Sequence, residues 1–286
     1  NLALAYQDAG RLEQAIDLFE RDLADSERVL GSDHPHTLTS RGNLAGAYRS
    51  AGRPDEAIDL FERDLAETLR VLGPDHPDTL TSRGNLAGAY QDAGRPDEAI
   101  DLFEQNLAET LRVLGPDHPD TLTSRGNLAG AYQDAGRPDE AIDLFEQNLA
   151  ETLRVLGPDH PDTLTSRGNL AAAYLSAGRP DEAVPLFEQN LAEALRVLGP
   201  DHPDTLTSRG NLAAAYLSAG RPDEAVPLFE QNLAEALRVL GPDNTNTKTF
   251  KNNLAAAYRA VGRDEDAAAL FDPPPDPDDT DTEAPT

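Results

Sequence analysis

Residues 85–126 read NLAGAYQDAGRPDEAIDLFEQNLAETLRVLGPDHPDTLTSRG, and residues 127–168 repeat them letter for letter. The triplet Asn-Leu-Ala opens the chain at Asn1. It returns at Asn43, Asn85, Asn127, Asn169, Asn211 and Asn253, always 42 residues on. A fixed period of this size marks a repeat array. Each unit of such an array packs only on its neighbours, so the core is long and thin.

Two helical patterns fill each unit. The first spans about Pro77 to Ala93, where Leu80, Leu86, Ala87, Tyr90 and Ala93 recur at three- and four-residue spacing. Pro77 suits the first helical position, and Gly94 suits the C′ position that ends a helix. The second spans about Pro96 to Leu114, with a stripe of Ala99, Ile100, Phe103, Leu107, Leu111 and Leu114. Asp97 and Glu98 lie at its N-terminal end, where the helix dipole favours them. Gly115-Pro116 stops it. Only Gly94-Arg95 joins the two, so they are expected to pack antiparallel. Pro185 and Pro227 fall inside second helices and predict a slight local bend there, not a break.

Leu86, Ala87, Tyr90, Gly94, Ala99 and Phe103 together resemble the tetratricopeptide repeat: small residues where helices cross closely, large ones between. The usual unit is about 34 residues. The longer unit here, with Leu-Gly-Pro-Asp-His-Pro-Asp before its first helix, resembles the kinesin light chain type. Similar arrays occur in large bacterial signalling proteins, and the Arg-, Ala- and Gly-rich composition reads as a bacterial coding bias. The expected fold class is all-α, a right-handed α-solenoid of antiparallel helix pairs over residues 1–271. Residues 272–286, rich in Pro, Asp and Thr, are expected to be a disordered acidic tail. The chain opens inside a unit and contains no Met, so its natural start is expected upstream; the location expected is cytoplasmic.

The resemblance also places the first helices on a concave face that binds a peptide or protein. The exposed residues there would be Thr81, Gly84, Asn85, Gly88, Gln91 and Asp92. In later units they would be Thr123, Asn127, Gly130, Gln133, Asp134, Asn169 and Asn211. Each helical glycine costs about 1 kcal/mol relative to Ala, so Gly84 and Gly88 need a reason. Either a bare groove floor lets a partner approach, or adjacent first helices crowd and only small residues fit. The carboxylate clamp of chaperone-binding members needs lysines on this face, and none is present.

Formal net charge is −28. The unit 85–126 holds eight acids against three arginines, so the charge is spread along the array. Nucleic acid is excluded as a partner, because phosphate contacts need clustered Lys and Arg. An anionic membrane surface is disfavoured for the same reason, and no apolar run approaches the roughly 20 residues of a membrane helix. Either the acid serves only to keep a long array soluble, or it makes the groove suit a basic partner. There is no cysteine, hence no thiolate chemistry and no disulfide frame.

His76, His118, His160 and His202 each sit in Asp-His-Pro-Asp. Copies a repeat apart cannot share one ion, so helix capping is the expected role. No nucleophile–base pair and no phosphate loop stands out, so the chain is read as a scaffold, not an enzyme, with no cofactor. A structural or sensing arm of a larger protein, or an end-to-end self-associating spacer, is the alternative. Two polar residues interrupt the stripes, Arg83 and Asn106; Asp64 holds the Asn106 position one unit earlier. Either Arg83 reaches back to Asp64 and Arg125 to Asn106 across the repeat boundary, or both arginines lie in solvent.

Overall fold

A computed structural model describes residues 2–271. The expected tail lies outside the described residues. Those residues form fourteen α-helices and no strand. They fall into two compact units. The first holds α1 (Leu2–Asp8), α2 (Leu12–Leu30), α3 (Pro35–Ser50), α4 (Pro54–Val71), α5 (Pro77–Asp92), α6 (Pro96–Val113), α7 (Pro119–Asp134) and α8 (Pro138–Leu156). The second holds α9 (Pro161–Ser176), α10 (Pro180–Val197), α11 (Pro203–Ser218), α12 (Pro222–Val239), α13 (Thr245–Ala260) and α14 (Asp264–Ala269). Within each unit every helix packs on the one before and the one after, and first helices of neighbouring repeats also touch.

The expected helix boundaries hold to within a residue, because local chemistry sets them. Gly94 has φ +69° and Gly115 φ +87°, a conformation that costs any residue with a Cβ. Ala87, Ala89 and Ala99 are fully buried, and Phe103 is buried with them. The stripe of α6 runs out earlier than its spacing suggests. Leu111 is 38% exposed, and Thr110 takes the inward place. There its hydroxyl donates to the Leu107 carbonyl at 3.1 Å, which is how a helical threonine is satisfied without a partner helix. α10 and α12 run unbroken through Pro185 and Pro227.

The histidines cap the first helices. The Asp120 N–H donates to His118 Nδ1 at 3.2 Å, and the Asp78, Asp162 and Asp204 N–H groups do the same to His76, His160 and His202. The last repeat makes the same bond with a different side chain: the Asn246 N–H donates to Asn244 Oδ1 at 2.9 Å. Among the described residues no three His, Asp or Glu side chains cluster as a metal site. His118→Asn is therefore expected to leave the free energy of urea unfolding within a few tenths of a kcal/mol, whereas His118→Ala should cost about 1 kcal/mol.

The arginines correct both sequence readings. Neither Arg83 nor Arg125 reaches back across the boundary, and neither lies in solvent: both are buried. The residue that reaches back is the serine one place earlier. Ser82 Oγ donates to Asp64 Oδ2 at 2.6 Å, and Ser124 Oγ accepts from Asn106 Nδ2 at 3.2 Å. One residue is about 100° of helix turn, so the arginine misses that side chain; Arg41, at the same position, reaches back to Glu27 instead, at 3.3 Å. In the second unit the arginine faces its own repeat's second helix, where Arg167 binds Glu193 at 3.0 Å and Arg209 binds Glu235 at 2.5 Å.

Within each unit a further cluster ties first helices to preceding second helices. The Tyr90 hydroxyl donates to Glu62, and Tyr216 to Glu188, each at 2.6 Å. Arg95 covers the Tyr90 ring 4.4 Å from its centroid and bonds Glu98. Burial and the Glu188 carboxylate push the Tyr216 phenol up to about 12. The neutral phenol is the form the fold favours, and its folded pKa lies above the ordinary value of 10.0. Its contribution to stability is thus complete below that ordinary value and is lost as pH rises through the folded one. The urea midpoint should fall in that alkaline window, and Tyr216→Phe should flatten the fall. A midpoint that drops equally in both proteins contradicts this assignment.

Candidate functional site

In the first unit α5, α6 and α7 enclose a cleft of about 300 Å³. α5 supplies Thr81, Gly84, Asn85, Gly88 and Gln91. α6 supplies Phe103, Asn106 and Thr110 from below, and α7 supplies Asp120, Thr123, Ser124 and Asn127. The reason is periodicity. On α5 the apolar positions turn to α4 and α6, which leaves the opposite stripe of small and polar residues free to line a groove. The second unit repeats the arrangement in a cleft of about 260 Å³ between α9, α10 and α11. Thr165, Gly168, Asn169 and Ala172 form one wall, Asn190 and Ala194 the floor, and Thr207, Ser208 and Asn211 the other wall.

Most of the sequence-predicted residues therefore meet. Thr81, Thr123, Asn127, Asn169 and Asn211 are exposed, and Gly84, Asn85 and Gln91 are half-buried; Gly88, expected to be exposed, is buried beneath the Arg49 guanidinium. Asp92 and Asp134 do something else. Asp92 pairs with the Arg49 guanidinium and Asp134 accepts from the Gln91 amide, so both link first helices of adjacent repeats. Gln133, Asp134 and Gly130 do not line either cleft.

Packing does not demand the second glycine of each helix. A Cβ at Gly46 or Gly130 would meet nothing within 4 Å. At Gly88 it would meet only the Arg49 guanidinium, at 2.8 Å, the movable end of a long side chain. Ala172 and Ala214 fill the same place in the second unit. The crowding explanation fails at these positions.

Sequence reasoning passed over Asn106 and Asn190 as site residues. Both are only 6% exposed, yet they form the cleft floors. The signal was an amide interrupting an apolar stripe, a costly choice unless the amide has a partner or a task. Asp120 and Asp204 stand at the clefts as carboxylates, and the Arg49 charge is matched by Asp92. The lining groups are amides, hydroxyls and carboxylates, which hydrogen-bond an extended chain well.

Among the described residues no helix is long and apolar enough to cross a membrane. The model of the tetratricopeptide repeat matches residues 1–66, 64–108, 84–150, 125–192, 169–234 and 211–272. None of the curated proteins compared with the chain matches it. Among solved structures, a kinesin light chain-type protein of nearly identical TPR-like repeats from Podosopora anserina is 39% identical, with TM-score 0.65. That match covers 72% of this chain and 97% of the other. A point variant of the same protein is 37% identical, with TM-score 0.66, over 71% of this chain and 96% of the other. BtubC from P. vanneervenii is 21% identical, with TM-score 0.68, over 80% of this chain and 92% of the other, and shares the fold. The repeat model spans both units, and the two Podosopora structures carry units of the same kind: the chain belongs to the tetratricopeptide repeat family.

Proposed function

We propose that this chain is a non-catalytic scaffold that holds an extended peptide or protein segment along its first-helix face, and that the segment carries basic side chains. Tetratricopeptide repeats are in general protein–protein interaction scaffolds. The observation that carries the reading is convergence. Thr81, Gly84, Asn85, Gly88, Gln91, Thr123 and Asn127 surround one cleft, and Asn169 and Asn211 belong to a second of the same design. Amides and hydroxyls at a regular spacing suit a main chain with its own regular donors and acceptors. The acidic field favours cationic side chains and speeds their encounter.

A random peptide library displayed against the whole chain tests this. The wild type should select peptides enriched in Lys and Arg, with binding that weakens as salt rises. An Asn85→Arg, Asn127→Arg variant should lose those peptides while its helical circular dichroism stays unchanged. Equal selection by wild type and variant would place the binding surface elsewhere and overturn the reading.

A further inference from the structure

One helical glycine already varies among the interior repeats, and the other changes only in the last, where Asn252 stands. The position of Gly88 becomes Ala172 and Ala214, whereas Gly42, Gly84, Gly126, Gly168 and Gly210 all stay glycine. Each of them weakens its helix relative to alanine. At Gly84, Gly126 and Gly168 packing supplies no reason for that cost. A Cβ there would stand 3.4 or 3.5 Å from the Nδ2 of the floor asparagine, an ordinary contact. Alanine would fit. What alanine would do is cover the amide.

The floor asparagine is unusual in its own right. Asn190 is 6% exposed and its Oδ1 has no hydrogen-bond partner among the described residues. It lines the cleft beside Gly168. Asn106 is 6% exposed and lines the other cleft beside Gly84. One of its N–H groups goes to Ser124, and its Oδ1 has no partner. A buried amide left open is costly, and here a glycine bares its nitrogen toward a groove in two separate units.

We propose that each glycine–asparagine pair, Gly168 with Asn190 and Gly84 with Asn106, is a subsite in which the bared Nδ2–H donates to a main-chain carbonyl of the bound segment. This rests on the scaffold reading above and adds to it. The donor asks for an acceptor. The chain's charge of −28 and Asp204 at the cleft disfavour a carboxylate or phosphate. A neutral carbonyl remains, and an extended segment offers one at every residue. The Cβ-free wall lets that backbone come close. Basic side chains and a backbone anchored by amides are compatible demands on one ligand.

The experiment uses the whole chain, labelled with ¹⁵N, and N-methylacetamide as the probe. The side-chain NH₂ resonances of Asn190 and Asn106 should shift saturably on titration. In Gly168→Ala the Asn190 shift should vanish while the Asn106 shift stays, and in Gly84→Ala the reverse. Both alanine variants should melt no earlier than the wild type, so a loss of response is not a loss of fold. Acetate should shift neither resonance. An unshifted Asn190, a response that survives Gly168→Ala, or an equal response to acetate overturns the proposal. The library selection reports on the scaffold reading separately. Peptides that depend on Asn85 and Asn127 but leave Asn190 and Asn106 silent would sink only the subsite.

Discussion

Glu193→Ala is expected to destabilise the α9–α14 unit by about 3–5 kcal/mol, the cost of leaving a buried charge without its partner. Arg167 is 1% exposed and Glu193 16%, with 3.0 Å between Nη1 and Oε2. The guanidinium cannot shed its charge, because its pKa lies far above any working pH. It cannot reach water without opening the α9–α10 interface. The pair itself contributes little against an apolar replacement of the same shape, so Arg167→Met together with Glu193→Ala should recover much of the loss. Arg83 provides the contrast. It occupies the same repeat position and is buried, but among the described residues it makes no ion pair and its Nη1 has no partner. Arg83→Met should be neutral or stabilising. Equilibrium urea unfolding of the four proteins measures this. Equal penalties for Glu193→Ala and the double variant would contradict it.

Phe229→Ala is expected to cost about 3–5 kcal/mol, and Phe229→Leu less than about 1.5 kcal/mol. Phe229 is 1% exposed in α12, which packs between α11 and α13. Ala213, Ala215 and Ala225 around that junction are fully buried. Deleting a buried ring leaves a cavity that close-packed neighbours fill only in part, so the cavity term stays large. Each repeat leans only on its neighbours, so the loss should appear locally. Hydrogen exchange should show amides of α11, α12 and α13 opening first while α2 to α7 keep their protection. Uniform loss of protection along the chain would contradict the nearest-neighbour picture.

Much of this molecule can be read from one 42-residue unit. Helix ends follow from Pro77, Gly94, Pro96 and Gly115, and pairing follows from the two-residue link. Those are local statements, and local chemistry decides them. Three features needed the third dimension. Leu111 has the right spacing for burial, but it stands 38% exposed and Thr110 closes the stripe instead. Arg83 and Ser82 are adjacent in sequence and about 100° apart on the helix, so the short hydroxyl, not the long guanidinium, found Asp64. Asn106 was visible as an odd residue in an apolar stripe, yet its place on a cleft floor depends on α7 closing over α6. Spacing within one repeat says nothing of that closure. The glycines were visible too. What a Cβ at each would meet, the Arg49 guanidinium at Gly88 and the Asn106 amide at Gly84, took the coordinates.

Two surfaces compete for any partner. One is the first-helix face with its clefts. The other is a row of half-exposed leucines on the second helices, Leu69, Leu111 and Leu153 in the first unit and Leu195 and Leu237 in the second. The decisive measurement is NMR shift mapping with a peptide selected from the random library, on a chain labelled at asparagine side chains and leucine methyls. The side-chain amides of Asn85, Asn127, Asn169 and Asn211 should shift, with the methyls of Leu111 and Leu195 unmoved. Shifts confined to the leucine row, with the asparagines silent, would contradict the account.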